Sequence, residues 1–313
     1  MTVAAWLIVG LVVAPLPRSW RWRLCGFAAR FAGWTGRARA ARARLLRIAE
    51  IRPRDMQRTV RELYAGRFCA ILDVVRGLML GPDMRIVCRG AGEIEAARTQ
   101  GRGVILWVSD FVSAGDISKL ALVRAGYRIV HLSRPQHGFS SSSFGIRFLN
   151  PLRIRFERAY LAERIVFDRM NPKPAMSRLL ACLRAGGLVS VMASIHEGGQ
   201  LVDLPFMAGR LRVATGALRL AWISGAAVIP VFVLRDRSDA TSFHVAFAAP
   251  LPMPSGLAEN DAIVMAACDY RDKLEAVVRA RPESWVGWRR ADQLAFAPEA
   301  DVRIDRTAPA CRP

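Results

Sequence analysis

Lysine is nearly absent from this chain of 313 residues, occurring only at Lys119, Lys173 and Lys273. Its positive charge is therefore almost wholly arginine. Lys and Arg total 46 against 26 Asp and Glu, a formal net charge of +20. Histidine is scarce as well: His131, His137, His196 and His244 are the full set, which leaves few candidate bases. The six cysteines (Cys25, Cys69, Cys88, Cys182, Cys268, Cys311) are widely spaced and none falls in a CxxC pair, against zinc and thioredoxin-like sites. Most sit in apolar contexts, as expected of packed, reduced thiols. The strings GxSxG, GxxxxGK[ST] and GxGxxG are missing, so neither a hydrolase elbow, a P-loop nor a dinucleotide fingerprint is in view. Internal repeats are also missing.

What is there supports a core. The apolar fraction is 52%, which excludes wholesale disorder, and the length suits one large domain or two small ones. The excess of arginine favours anionic partners: a phospholipid surface, an acidic carrier protein, a phosphate-bearing substrate or nucleic acid.

The first 50 residues read as a membrane-associating segment. Val3–Leu16 is uncharged and apolar, about 14 residues or ~21 Å as a helix, short of the ~30 Å hydrocarbon layer. No basic residue precedes it and no cleavage site follows, against a cleaved signal peptide. Arg18, Trp20, Arg21, Trp22 and Arg23 come next, then Phe27, Arg30, Phe31, Trp34 and the arginines at 37, 39, 42, 44 and 47. Rings and guanidiniums in that mixture suit the headgroup layer. A solvated basic helix packed on its own domain is the alternative. With no nucleic-acid module visible, nucleic acid is not an expected partner.

The chain is organised around Gly101–Gly126. Val104–Val108 predicts a buried strand, Ser109–Gly115 a turn, and Asp116 onward a helix closed by Gly126. Asp110 and Asp116 thus flank a strand-to-helix turn, where open α/β sheets bind ligands. Asp116 also fits a plain helix cap. Asp55–Leu80 predicts a long amphipathic helix stopped by Gly81-Pro82, Met84–Cys88 a strand, and Ala91–Gln100 a helix. Tyr127–Leu132 predicts a strand that delivers Arg134 beside the central turn if the two strands are neighbours. The run Ser140–Ser143 reads as a loop. Ala175–Leu183 predicts a helix, Leu188–Ala193 a buried strand, Leu211–Ser224 an apolar helix, Ala226–Leu234 a buried strand, Phe243–Ala249 an edge strand and Ala262–Val278 a helix. His196 and Glu197 follow a buried strand in a glycine-bearing segment, a setting for a site. Strands alternating with helices give an α/β class, with a mixed central sheet flanked by helices over residues 51–298 and a loose polar tail over 299–313.

Five stretches carry a resemblance: GRGVILWVSDFVSAGD, HLSRP, AGGLVSVMAS followed by LPFMAG, TGALRLAWISGAAVIPVFVLR, and RPESWVGWRR at Arg281–Arg290. Together they resemble the bacterial lipid A late acyltransferases, within the lysophospholipid acyltransferase fold, over about Met84 to Arg290. The string with Pro282, Trp285, Trp288, Arg289 and Arg290 is the most specific. The resemblance implies acyl transfer from an acyl carrier protein or acyl-CoA thioester to a lipid hydroxyl, at the cytoplasmic face of the inner membrane, with neither cofactor nor metal. It also implies a histidine base with an acid five positions on, and an arginine at the next strand end.

The sequence departs from that pattern at the base. Asp110 stands in the histidine's place, followed by Phe111 as in the family, and Asp116 lies one residue beyond the family spacing. None of the four histidines has an acid five positions later. Arg134 carries over as the anion clamp. A pair of carboxylates is one way to supply the base, Asp110 and Asp116 acting together; His131 or His196 arriving from another strand is a second. The third is a silent relative that binds acyl lipid or carrier protein without turnover.

Overall fold

The computed structural model describes residues 16–32, 35–81, 84–134, 150–168, 170–194, 200–239 and 241–296, with positions 13, 143, 146 and 147. Among the described residues, the helices α1 (Arg18–Ala32), α2 (Gly36–Arg47) and α3 (Pro53–Leu80) precede the first strand. Proline in the first turn and Asp55 near the N-terminus start α3. Gly81 ends it at φ +79°, a left-handed conformation that glycine tolerates. The α/β unit then follows as β1 (Arg85–Arg89), α4 (Gly92–Thr99), β2 (Val104–Val108), α5 (Ala114–Arg124), β3 (Ile129–Ser133), α6 (Asn150–Arg158), β4 (Glu163–Val166), α7 (Lys173–Arg184) and β5 (Leu188–Met192). It continues through β6 (Leu201–Phe206), β7 (Gly209–Ala214), α8 (Gly216–Ser224), β8 (Ala227–Arg235), β9 (Ser242–Phe247), α9 (Glu259–Ala280), two 3-10 turns and β10 (Leu294–Phe296).

Seven strands form the central sheet in the order β1-β9-β8-β2-β5-β3-β4, and a second, three-stranded sheet runs β10-β7-β6. Only the β8–β9 pairing of the large sheet is antiparallel. β2 lies in the middle and every one of its five residues is buried. That is why its sequence is a continuous apolar run: helices cover a parallel sheet on both faces and no position faces water. β8, β2, β5 and β3 run parallel, so their carboxyl ends share one edge. There the chain emits Arg235, Asp110, Ser194 and Arg134.

Most elements stand where the hydrophobic pattern puts them, with four differences. β5 lies between β2 and β3, so the strand that delivers Arg134 is not the neighbour of the central strand. Leu211–Ser224 is not one helix: Gly209–Ala214 alternates buried and half-buried and pairs with Leu201–Phe206, a period of two joined to the helical period of α8. β9 is not an edge strand, since β1 pairs along its outer side. The short β4 at the opposite edge carries too few apolar residues to stand out. Cys25, Cys69, Cys88 and Cys182 are free thiols, whereas Cys268 is disulfide-bonded.

Residues within the first 50 share the main core. Cys25 and Ala29 of α1 and Ala38, Ala41 and Leu45 of α2 are buried in it. α1 is fixed to the sheet through charge: Asp73 of α3 accepts from Arg235 at 2.8 Å and lies 3.5 Å from Arg21. The opposite face of α1 stays open. Trp20, Leu24, Phe27 and Phe31 are 40–64% exposed and recur every three or four residues, so they form one stripe. No helix of the described residues is long and apolar enough to cross a membrane. Most of the apolar run Val3–Leu16, residue Trp34 and the tail from residue 297 lie outside the described residues.

Candidate functional site

The turn after β2 is held by the C-terminal RPESWVGWRR segment. Val112 N–H donates to the Ser284 carbonyl at 3.0 Å, and Val286 N–H to the Asp110 carbonyl at 2.9 Å. Phe111 and Trp285 form an antiparallel bridge. Trp285 and Trp288 are fully buried and meet edge to face, ring centres 4.8 Å apart. Gly287 lets them close: a Cβ there would lie 2.2 Å from the Trp285 ring. The tryptophans of this motif are therefore a clamp on the loop that carries Asp110.

The Asp110 side chain, 18% exposed, has Arg290 as its partner at 3.6 Å. Further cations stand close. Arg67, on α3, feels the charges of both Asp110 and Arg289; burial, then Arg289, holds it down to about 10, the Asp110 carboxylate pulling the other way. Arg289 stacks over the Tyr64 ring at 5.1 Å. The Tyr64 hydroxyl and Arg289 Nε are buried without a hydrogen-bond partner. Burial pulls Arg290 down, but Asp292 and Asp110 more than offset it, leaving that guanidinium above its ordinary value. Behind Asp110, Ser109 Oγ and Tyr270 Oη are 3.1 Å apart in the core. Burial pushes the Tyr270 phenol up, the Ser109 hydrogen bond pulls against it, and the Asp110 charge adds a smaller push upward.

Asp116 belongs to a different network. It is buried in the first turn of α5, and Arg153 of α6 donates to both its oxygens at 3.2 and 3.1 Å. Tyr160 Oη reaches it at 3.5 Å. Arg153 Nε also lies 3.7 Å from Glu157, which accepts from Lys119 Nζ at 3.0 Å; Lys119 and Glu157 are 1% and 0% exposed. Burial, with the nearby carboxylates, drives the Tyr160 phenol well up. Ser113 separates the two aspartates at φ 65°, a left-handed conformation that is strained for serine.

So the two predicted acids share one turn and one sheet edge but answer to different arginines, Arg290 and Arg153. Arg134 is exposed just beyond β3 on the same edge, with its carbonyl held by Arg164 at 3.0 Å. His196, Glu197 and His137 lie outside the described residues. His131 is buried, its Nδ1 3.1 Å from the Ser190 carbonyl. His244 pairs with Asp236 at 2.9 Å, an acid eight positions upstream. Sequence reasoning passed over Arg67, Tyr64 and the pair Lys119–Glu157. Their one signal is a charged or polar residue at a position where an amphipathic helix turns inward. Among the described residues, no group of three or more His, Cys, Asp and Glu could hold a metal ion.

No curated protein matches the chain. A family model does, that of the bacterial lipid A biosynthesis acyltransferases, over residues 1–290. A match that runs from the first helices through the tryptophan clamp to Arg290 spans every element that shapes the Asp110 turn, and the chain belongs to this acyltransferase family.

Proposed function

We propose that the protein transfers a fatty acyl group from an acyl carrier protein or acyl-CoA thioester to the hydroxyl of a lipid at the cytoplasmic face of the inner membrane. The observation that carries the reading is Asp110: a carboxylate at the carboxyl end of the central strand, in a family of acyltransferases, ringed by Arg290 and Arg67. The acceptor oxygen attacks the thioester carbonyl, a C–O bond forms and the C–S bond breaks. The hydroxyl proton passes through Asp110 to the departing thiolate. An aspartate is a weaker base than a histidine, ~3.9 against ~6.5. More of the barrier therefore falls to the guanidiniums, which meet the oxyanion as it develops. Asp116, tied to Arg153, holds the far side of the turn, and Arg134 on the same edge binds substrate, a role that the sequence also offers to His196 and Glu197. The stripe Trp20, Leu24, Phe27 and Phe31 is the part that lies in the bilayer, beside an anionic surface.

The test is thioester cleavage by the purified chain, with acyl carrier protein and acyl-CoA donors and a lipid acceptor, in wild type and Asp110→Asn. Loss of about a hundredfold or more in the variant is expected for a general base. Equal rates would remove Asp110 from the chemistry. The ion pair between Asp110 and Arg290 favours a second reading, a binder of acyl lipid without turnover. Binding of acyl donor with no release of thiol across the donor panel would select it.

A further inference from the structure

A cavity of about 1090 Å³ opens between α1, α3 and the turn after β8, and none of Asp110, Asp116 or Arg134 lines it. Seven arginines and four carboxylates form its wall, with Trp22 and Phe27. All four acids are already engaged, Asp239 by the Thr241 hydroxyl, which donates to it at 2.6 Å. Glu283 accepts from Arg281 at 2.6 Å and Arg237 at 3.3 Å. Asp236 accepts from Ser238 and lies 2.9 Å from His244. Glu62 faces Arg58 at 3.6 Å, and burial, then Glu283, pushes its carboxyl up. On the cationic side, Arg23 and Arg30 of α1 make no hydrogen bond or ion pair among the described residues, and Arg61 adds a third guanidinium from α3. The cavity thus holds more positive charge than its own acids offset.

Its position supplies the second clue. Phe27 belongs both to the cavity wall and to the exposed apolar stripe of α1, where it meets Phe31 edge to face at 5.3 Å. With that stripe in a bilayer, the mouth of the cavity lies at the depth of lipid phosphates. We infer that this cavity binds the phosphate-bearing headgroup of a membrane lipid, with Arg23, Arg30 and Arg61 on the phosphate and the lipid chains running along Phe27 and Phe31. Guanidiniums suit a phosphate because their planar donors meet two oxygens at once. The inference rests on the membrane-facing reading of α1. It does not depend on acyl transfer, because none of the proposed catalytic groups lines the cavity.

The experiment is co-sedimentation of the full chain with two kinds of vesicle, phosphatidylcholine alone and phosphatidylcholine doped with phosphatidic acid. Wild type is compared with R23Q/R61Q, with R128Q/R184Q as a charge-matched control at exposed positions outside the cavity, and with F27S/F31S. R23Q/R61Q is expected to lose about thirtyfold in affinity for the doped vesicles, in line with headgroup contacts by two arginines. It should keep its weaker binding to phosphatidylcholine alone, and R128Q/R184Q should bind both kinds like wild type. Equal losses in R23Q/R61Q and R128Q/R184Q would show diffuse attraction and overturn the site, as would no loss in either. Inorganic phosphate that binds the cavity arginines, read by the R23Q/R61Q difference, yet is not displaced by doped vesicles would assign the cavity to a soluble anion and overturn the lipid reading. F27S/F31S reads the parent proposal separately: undiminished vesicle binding there removes the stripe as the anchor, whatever the arginine pair shows. Arg23 and Arg61 are exposed, so unchanged circular dichroism and melting are expected for R23Q/R61Q.

Discussion

One turn carries two aspartates into opposite surroundings. Around Asp116 the charges balance: Arg153, Glu157 and Lys119 answer one another inside the protein, and Tyr160 adds a donor. Around Asp110 they do not. Arg290, Arg67 and Arg289 outnumber the two carboxylates, Asp110 and the Asp292 that also holds Arg290 at 2.9 Å, and the Tyr64 hydroxyl and Arg289 Nε are buried without a partner. A closed, balanced network is what a fold needs where water is excluded. A surplus of donors beside a partly open acid is what an anionic transition state needs. On the proposed mechanism the first network holds the turn and the second carries the chemistry.

The largest effect expected from breaking this contrast is on the balanced side. Lys119→Met leaves two buried carboxylates, Asp116 and Glu157, to the single guanidinium of Arg153, which costs up to about 3–5 kcal/mol. Denaturant unfolding should show the loss, and acyl transfer should fall only with the folded fraction. On the other side, Asp110→Asn should cut turnover about a hundredfold or more. It should shift stability by less than about 1 kcal/mol, since the pair with Arg290 is partly exposed. If the two variants exchanged these signatures, the assignment of roles would reverse.

Arg67→Met sharpens the contrast through its sign. The arginine is held down to about 10 in the folded protein, from an ordinary value of 12.5. The unfolded chain therefore binds more protons between those two values, so stability contributed by this group rises as the pH climbs from about 10 toward 12.5, and the penalty is full at neutral pH. Replacement by methionine should raise stability at neutral pH, by about 1 kcal/mol after allowing for solvent, and lower turnover. The gain over wild type should shrink as the pH passes about 10. A variant less stable than wild type at neutral pH would show that Arg67 is a structural contact and not part of a surplus.

How much of this is legible in the sequence follows from which interactions are local. β2 and α5 show themselves because apolar periodicity is a property of neighbouring residues, and the family resemblance rests on strings of contiguous residues such as RPESWVGWRR. Asp110 and Asp116 are visible for the same reason. Their partners are not: Arg153 is 37 positions from Asp116, and Arg290 meets Asp110 only because the tryptophan clamp folds back on the β2 turn. The β6–β7 hairpin was hidden by a change of period inside one apolar run. Arg67 and Lys119 fall where an amphipathic helix turns inward, but a single charge at such a position does not say which distant group it meets.

The smallest effect lies at the residue that divides the two surroundings. Ser113 sits at φ 65° and ψ 4°, just before α5, and its hydroxyl is buried without a hydrogen-bond partner. Left-handed backbone costs a residue with a side chain roughly 1 kcal/mol, and glycine escapes that cost while losing more entropy on folding. Ser113→Gly should therefore gain only a few tenths of a kcal/mol, because the two terms oppose. What it should change more is the chemistry. Strain at this point fixes how Asp110 and Asp116 diverge, and a glycine lets the turn sample other shapes. Paired melting and thioester-cleavage measurements on Ser113→Gly should show stability level or slightly up and turnover down. A variant that is both slightly more stable and fully active would mean that the strained turn serves packing alone, and that the divergence of the two acids needs no enforcement.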